Sequence, residues 1–317
     1  MAARPVIIDC DPGQDDAVNL LLAIASPEDI AIEAVTTVAG NVPLALTTRN
    51  ARIVCDIGGR TDIPVHAGCA RPMVRDLVTA EQVHGPTGLD GIEIFAPETP
   101  LAPGHAVDVL IERLLAAGPE GLTLVPTGPL TNIAMAMVKE PAILPHIREI
   151  VLMGGAMREG GNFSPSAEFN ILVDPHAAHV VFRSGRPIIV AGLDVTHRLL
   201  ATPERLARLR ASNGRVTRAV HDMVGYFNRH DVAKYGFAGA PLHDPATIAW
   251  LLAPSLFSVR DCHIAIEHGS ELTMGHMAVD FWHVTGKPAN ARWLHEVDAD
   301  GFFDLLIDRL ERLDRSG

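Results

Sequence analysis

The spacing of hydrophobic positions switches repeatedly between two periods along the first two-thirds of the chain. Short β-branched runs such as 6–8 and 32–38 are typical of buried strands, and each is followed by Gly or Pro and then by apolar residues at helical spacing. The first helical run covers 17–24, with Asp15 and Asp16 in or near its first turn. This alternation predicts an α/β fold with an open, mostly parallel, doubly wound, Rossmann-like sheet.

The same reasoning predicts about six parallel strands before Gly192. Further strands are expected at 64–67, 122–125, 149–153 and 187–190, and helices at 44–57, 106–117, after the turn at 126–132 as far as 139, and at 175–182. The segment 69–104 has many Pro and Gly residues and no clear period, so we expect a long functional or mobile loop.

The pattern changes after Gly192, where Arg-rich helices are predicted. The elements expected here are helices at 204–211, 215–229, 246–252 and 302–313, with strands of alternating character at 258–267 and 277–284. No internal repeat is visible. We therefore expect one domain over 1–317, with 195–240 as a helical elaboration beside the active site.

Composition restricts the partners that the chain can have. The 317 residues are 48% hydrophobic and carry a formal net charge of −12, which argues against nucleic acid and favours a small neutral ligand. No secretory leader is recognisable, and no apolar run reaches the ~20 residues that span a bilayer. The 4 cysteines have no Cys-x-x-Cys spacing, which is typical of reduced thiols in the cytoplasm.

Candidate chemistry begins directly after the first predicted strand, where a dense group of acids is found. Its members are Asp9, Asp11, Asp15 and Asp16. Mutual repulsion makes such a group costly without a cation, and oxygen-only ligands favour Ca²⁺ or Mg²⁺ over Zn²⁺. An EF-hand is excluded, because a loop counted from Asp9 has Gln14 in place of its glycine and Leu20 in place of its glutamate. For Asp15 or Asp16 alone, a favourable interaction with the helix N-terminus is an equal alternative.

Later strand ends and helix starts bring more polar residues to the same edge of the predicted sheet. They are Asn41, Thr127, Asn162, Glu168, Asn170 and Asp244. Two histidines, His84 and His243, are candidates for proton transfer. The alternative is a solvated loop histidine at position 84 and a helix-start histidine at position 243.

The ordered set of motifs resembles the inosine-uridine preferring nucleoside hydrolase (ribonucleoside hydrolase) family. These motifs are Asp9-x-Asp11-Pro12-Gly13-x-Asp15-Asp16-Ala17, Asn41, Pro126-Thr127-Gly128, Glu168-Phe169-Asn170 and His243-Asp244-Pro245. They run from the first strand to the C-terminal helices, so the resemblance covers nearly the whole chain. It implies hydrolysis of the N-glycosidic bond of ribonucleosides to free base and ribose, and a homodimer or homotetramer.

The resemblance also implies roles for individual residues. Bound Ca²⁺ would be held by Asp11, Asp16, Asp244 and the backbone carbonyl of Thr127. Ribose would be held by Asp15 near the 2′-hydroxyl, by Asn170, and by Asn162 and Glu168 at the 5′-hydroxyl, while Asn41 would help to place the water. Asp9 is expected to hold these residues in position without itself contacting the ion or the ribose.

An oxocarbenium-like transition state requires a base for the attacking water and help for the departing nucleobase. Asp11 is the predicted general base for a Ca²⁺-bound water. His243 or His84 is the predicted proton donor to the departing nucleobase. Tyr235 and Phe237 either stack on the nucleobase or pack against the helices. The string 239–245 resembles that of the pyrimidine-leaning members of the family, which implies a preference for pyrimidine nucleosides. We also expect a mobile lid at 76–95 and 203–235.

Two alternatives from other classes remain at this point. The first is a non-catalytic, Ca²⁺-dependent ribose- or nucleoside-binding protein, which would need the acids and Asn170 but no leaving-group donor. The second is a metal-dependent phosphohydrolase of the haloacid-dehalogenase kind, suggested by a strand that ends in Asp-x-Asp. Pro12-Gly13 departs from the motif of that class, and few basic residues fall at the strand ends.

Overall fold

A nine-stranded sheet forms the centre of the molecule in the part of the chain that the computed structural model describes, residues 2–316 without the side chains of His230, Asp231 and Ser316. In chain order the strands are β1 (Arg4–Cys10), β2 (Ile30–Thr37), β3 (Val65–Ala67), β4 (Leu122–Pro126), β5 (Ile147–Met153), β6 (Ile188–Ala191), β7 (Leu200–Ala201), β8 (Ala240–Pro241), β9 (Phe257–Ile266), β10 (Met277–Asp280) and β11 (Ala291–Val297). Strands β7 and β8 form a separate antiparallel pair.

The spatial order of the large sheet is β10-β9-β11-β6-β5-β4-β1-β2-β3. In this spatial order, every pair of neighbours from β3 across to β11 is parallel. At the other edge, β9 pairs antiparallel with both β11 and β10. The prediction of an open, mostly parallel sheet with extra strands near the C-terminus is therefore confirmed.

Helices cover both faces of this sheet. They are α1 (Gln14–Ile24), α2 (Leu44–Ile57), α3 (Glu81–His84), α4 (Ala106–Ala116), α5 (Thr131–Lys139), α6 (Phe169–Val173), α7 (Pro175–Phe182), α8 (Leu193–Thr196), α9 (Pro203–Ser212), α10 (Arg215–Tyr235), α11 (Pro245–Leu252) and α12 (Ala299–Ser316), with 3₁₀ turns at Pro141–His146 and Pro254–Leu256. None of the described helices is both long and apolar enough to cross a membrane.

Alternate residues of β1 belong to two different cores, as the period of a strand requires. Val6 and Ile8 pack with the layer that contains α1, α2, α10, α11 and α12, whereas Ile7 packs with α4, α5 and α7 on the other face. Every residue of α1 is buried, because other helices surround it. The acids at its first turn are therefore held on a rigid support.

Several predicted boundaries differ from those of the structure. Helix α1 begins at Gln14 rather than at the first apolar position, and α10 continues to Tyr235. The strand expected at 277–284 ends at Asp280, because the Asp280 carboxylate accepts hydrogen bonds from the backbone N–H groups of Val284 and Thr285 and turns the chain. Strand β11 and the short helix α6 were not predicted.

Candidate active site

The site lies where the strand order of the sheet reverses, between β1 and β4. The chain leaves β1 towards β2 on one side, and β4 occupies the other side, so a crevice opens beyond the carboxyl ends of these two strands. Asp11 follows β1 and Thr127 follows β4, while Asp15 and Asp16 occupy the first turn of α1. The fold thus places the first acids and the Thr127 turn side by side.

Three buried acids come together at this crevice. One carboxylate oxygen from each of Asp15, Asp16 and Asp244 lies within 4.8 Å of the others. Asp244 reaches this position from the start of α11. Burial raises the pKa of Asp244 well above its usual range, and the neighbouring acids Asp15 and Asp16 raise it further.

Asp16 is held by hydrogen bonds from four directions. Its carboxylate accepts from the Thr127 hydroxyl at 2.7 Å, from the Gly13 N–H at 3.1 Å, from Asn41 Nδ2 at 3.2 Å and from the Asp11 N–H at 3.3 Å. Burial nevertheless raises its pKa, although the bonds from Thr127 and Gly13 oppose the shift. The position of this carboxylate is therefore set by the protein alone.

Asp11 lies beside this group and has one oxygen without a partner. Its Oδ2 accepts a 2.7 Å hydrogen bond from the Asn41 N–H, whereas the buried Oδ1 has no hydrogen-bond partner among the described residues. A Cβ added at Gly40 would stand 1.9 Å from Oδ2, and one at Gly128 would stand 2.5 Å from Oδ1. The carboxyl group thus fits between two glycines, and burial with Asp16 nearby raises its pKa well above the usual range.

These groups fit a hard divalent cation. The available donors are all oxygens, three buried carboxylates already converge, and the unpartnered Oδ1 of Asp11 is costly to bury without a positive charge or a proton. The Thr127 carbonyl is engaged in a 2.7 Å hydrogen bond from Asn170 Nδ2. The geometry brings together Asp15, Asp16 and Asp244, whereas the resemblance implies Asp11, Asp16 and Asp244.

Asp9 lies beneath the site rather than in it. Its Oδ1 accepts hydrogen bonds from the Thr36 hydroxyl at 2.5 Å and from Asn132 Nδ2 at 2.8 Å, and its backbone carbonyl accepts from the Thr127 N–H at 2.8 Å. Burial raises its pKa to about 7. The Asp9 carboxylate therefore ties β1 to β2 and α5, while its backbone carbonyl pairs with the turn after β4.

A second polar wall is built around helix α6. Glu168 caps this helix, since its carboxylate accepts from the Asn170 N–H at 3.0 Å, and it also accepts from the Gly155 N–H at 2.9 Å. Asn162 Oδ1 accepts from the Phe169 N–H at 3.0 Å. Burial raises the pKa of Glu168. Asn162, Glu168 and Asn170 all line the same cavity as Asp15 and Asp244.

That cavity encloses about 780 Å³ when the open space at its mouth is included. Polar groups line one end of it. Two rings, those of His84 and Phe227, stack at 5.4 Å between centroids at another part of its wall. His84 Nδ1 is 2.7 Å from Oε1 of Gln14, the residue just before the acids of α1.

His243 also lines the cavity, next to Asp244. Its Nδ1 is 2.8 Å from the Thr196 hydroxyl. Burial lowers the pKa of this imidazole well below its usual range, and the neighbouring His197 and His84 lower it further. His243 is therefore neutral at pH 7 and can offer a hydrogen bond, but not a positive charge, to a bound molecule.

The two aromatic residues suggested for base binding occupy different positions. Tyr235 lines the cavity, and its hydroxyl donates to the Asn162 carbonyl at 3.3 Å. Phe237 stacks on Tyr235 at 5.4 Å and meets His197 edge to face at 5.2 Å, outside the set of residues that line the cavity. Phe237 thus packs against two residues that line the cavity, Tyr235 and His197, but does not line it itself.

Other residues of the wall were not among the sequence predictions. They include Gln82, Phe163, Phe169, His197 and Phe227. His197 could have been predicted from its place in the sequence, because it follows the end of β6 at the same edge of the sheet as the other site residues. Phe227 gives no such signal, since it lies inside the long helix α10 among other apolar positions.

Comparison with known proteins agrees with this geometry. The family model described as inosine-uridine preferring nucleoside hydrolase matches residues 6–304. A pyrimidine-specific ribonucleoside hydrolase RihA from a Shewanella species (strain ANA-3) is 48% identical over 309 residues, which covers 97% of this chain and 96% of the relative.

Two solved structures have the same fold. A purine-preferring ribonucleoside hydrolase from Gardnerella vaginalis superposes with a TM-score of 0.91 at 30% identity, covering 99% of this chain and 100% of the other. The plant nucleoside hydrolase PpNRh1 superposes with a TM-score of 0.90 at 30% identity, covering 97% and 99%. The chain belongs to the inosine-uridine preferring nucleoside hydrolase family and is an N-glycosyl hydrolase that acts on ribonucleosides.

Proposed function

We propose that this enzyme hydrolyses pyrimidine ribonucleosides with the help of a bound Ca²⁺ ion. The observation that carries the proposal is that one cavity joins the converging acids Asp15 and Asp244 to a wall of histidine and aromatic side chains. A sugar with vicinal hydroxyls suits the first end and a flat heterocycle suits the second. The pyrimidine assignment is supported by the 48% identity to a relative named as pyrimidine-specific.

Asp11, Asp16, Asp244 and the Thr127 carbonyl would hold the ion. Asp15, whose carboxylate lies within 4.8 Å of those of Asp16 and Asp244, would bind the ribose near its 2′-hydroxyl. When bound, a hard divalent cation lowers the pKa of a water molecule and orients it. A preference for ribonucleosides over deoxyribonucleosides follows if the vicinal hydroxyls are bound at these acids.

Asp11 is the base that takes the proton from the attacking water. Its unpartnered Oδ1 is an acceptor that no protein group satisfies among the described residues, and the missing side chains of Gly40 and Gly128 leave the room that the carboxylate occupies. The buried carboxylates around it also favour the positive charge that develops on the sugar as the glycosidic bond breaks.

The ribose would be oriented by Asn170, Asn162 and Glu168. Their backbone and side-chain bonds fix them before any ligand arrives, so little freedom is lost on binding. His243 or His84 would donate to the departing nucleobase, and Tyr235 would stack on it. The acidic side and the histidine side of the cavity thus serve the two halves of the substrate.

Release of free ribose from uridine, cytidine and inosine, with and without a chelator, tests this function. We expect uridine and cytidine to be cleaved faster than inosine, and chelation to abolish all three reactions until Ca²⁺ is restored. Faster cleavage of inosine would contradict the pyrimidine preference. The homodimer or homotetramer remains a prediction that sedimentation velocity can measure.

A further inference from the structure

The side chain of Gln14 is held in one orientation by groups that can only accept. Its Nε2 donates to the backbone carbonyl of His84 at 2.9 Å and to that of Asp90 at 3.0 Å. Reversing the amide would place its oxygen against two carbonyl oxygens, which is repulsive. The network therefore assigns the nitrogen and the oxygen of this amide without ambiguity.

This orientation determines the proton on His84. The Gln14 Oε1, which can only accept, lies 2.7 Å from His84 Nδ1, so the hydrogen between them must belong to the histidine. In a neutral imidazole one nitrogen carries the hydrogen and the other offers a lone pair. We propose that Gln14 is a positioning residue that holds His84 as the Nδ1–H tautomer, with Nε2 as the only nitrogen able to exchange a proton.

The ring is also held in place by its packing. It stacks on Phe227 with 5.4 Å between centroids and 19° between planes. A Cβ added to Gly13 would stand only 2.3 Å from Nδ1, so the chain turn after β1 approaches the ring closely. The packing against Phe227 and the close approach of Gly13 thus hold the ring where its Nδ1 meets Gln14 Oε1.

The consequence concerns the leaving nucleobase and rests on the proposed function. As the C1′–N bond breaks, its electron pair goes to the base, which takes a proton from Nε2 of a doubly protonated His84. The water oxygen bonds to C1′ and its proton goes to Asp11. His84 is left as the neutral Nδ1–H form that Gln14 already binds, so no hydrogen bond has to be rearranged during the step.

Nuclear magnetic resonance of the ¹⁵N-labelled ring tests the assignment without any turnover. We expect the wild-type chain, with Ca²⁺ and no nucleoside, to show His84 as the Nδ1–H form. Gln14→Met has a similar length but no acceptor, and should shift His84 towards the Nε2–H form that predominates in free histidine. An Nε2–H pattern in the wild type would overturn the proposal.

Asn50→Ala is the matched control. Asn50 Nδ2 also ties the His84 loop to the turn after β1, through the carbonyls of Thr87 and Pro12 at 2.9 and 3.0 Å, but it does not contact the imidazole. This variant should keep the Nδ1–H pattern. If it changes the tautomer as Gln14→Met does, loop placement is responsible and the role of Gln14 is refuted.

Kinetics provide a second readout. We expect Gln14→Met to lower kcat for uridine about tenfold, with KM little changed. This loss is part of the ~10²–10⁴-fold rate enhancement that a positioned proton donor contributes. Equal kcat for Gln14→Met and wild type would refute the role in catalysis. Failure of every nucleoside to react would instead contradict the proposed function, and the tautomer measurement would still stand.

Discussion

The hydroxyl of Thr127 donates a 2.7 Å hydrogen bond to Oδ1 of Asp16, which lies 111 positions earlier in the chain. This bond joins the end of β4 to the first turn of α1, the two elements on either side of the crevice. It therefore links the position of one acid of the buried cluster to the pairing of the strands.

Removing this hydroxyl should weaken cation binding while leaving the fold intact. Thr127→Val preserves the shape of the side chain, and a second-layer contact of this kind is worth ~10–100-fold in metal affinity. We expect a loss in that range for Ca²⁺ by titration calorimetry. Thr123→Val is the control, because the Thr123 hydroxyl in the same strand is buried and makes no hydrogen bond among the described residues. Equal affinities for the two variants would disprove the assigned role.

Adding a methyl group beside Asp11 should stop turnover. Gly128→Ala places a Cβ 2.5 Å from Oδ1 of Asp11, so the carboxylate must move. We expect kcat for uridine to fall at least ~10²-fold, the lower end of the contribution of a general base. Gly118→Ala, where a Cβ would meet nothing within 4 Å, should keep the wild-type rate. A Gly128→Ala enzyme of normal activity would show that Asp11 is not the base.

His243 should matter only when the leaving group needs assistance. His243→Ala removes a donor whose contribution is ~10²–10⁴ in rate for a natural nucleoside. A riboside of p-nitrophenol leaves as a stable anion, so its hydrolysis should be much less affected by this variant. Parallel kcat measurements on uridine and p-nitrophenyl riboside provide the comparison. Equal losses on both substrates would assign His243 to sugar binding or folding instead.

The buried acids should make stability without the cation depend on pH. Burial raises the pKa of Asp11, Asp16 and Asp244, so the folded chain binds more protons than the unfolded chain above the ordinary range of these groups. Stability of the chelated protein therefore falls as pH rises through the raised pKa values. Bound Ca²⁺ favours the charged forms and should remove this loss. Melting curves at pH 5 and pH 8 should show a larger Ca²⁺-dependent rise in Tm at pH 8, and a larger rise at pH 5 would contradict this assignment.

The parallel part of the sheet could be predicted from the sequence because each strand there is buried on both faces. Runs such as Val6, Ile7 and Ile8 are apolar without interruption, and the helices between them have a clear period. Strand β11 is different, since Arg292, His295 and Glu296 interrupt its pattern and its burial depends on pairing with β6 and β9. Such pairing is a tertiary effect that local pattern does not contain.

The acids of the site could be anticipated for a related reason. Residues that follow parallel strands share one edge of the sheet, so order along the chain gives proximity in space. The histidine and aromatic wall of the cavity does not follow this rule. Phe227 comes from the middle of α10. The sequence distinguishes Gln14 only as a mismatch to a calcium loop, because its contact with His84 depends on how a distant loop folds back.

The loop that carries His84 is fastened at several points. Gln14 binds the His84 ring and backbone, and Asn50 and Arg49 both donate to the Thr87 carbonyl. By contrast, the end of α10 meets the opposite wall through the exposed Lys234 and Tyr235, which donate to one carbonyl at 3.2 and 3.3 Å. Because the contacts on this side are fewer and exposed, we expect the nucleoside to enter past the end of α10 and the products to leave by the same route.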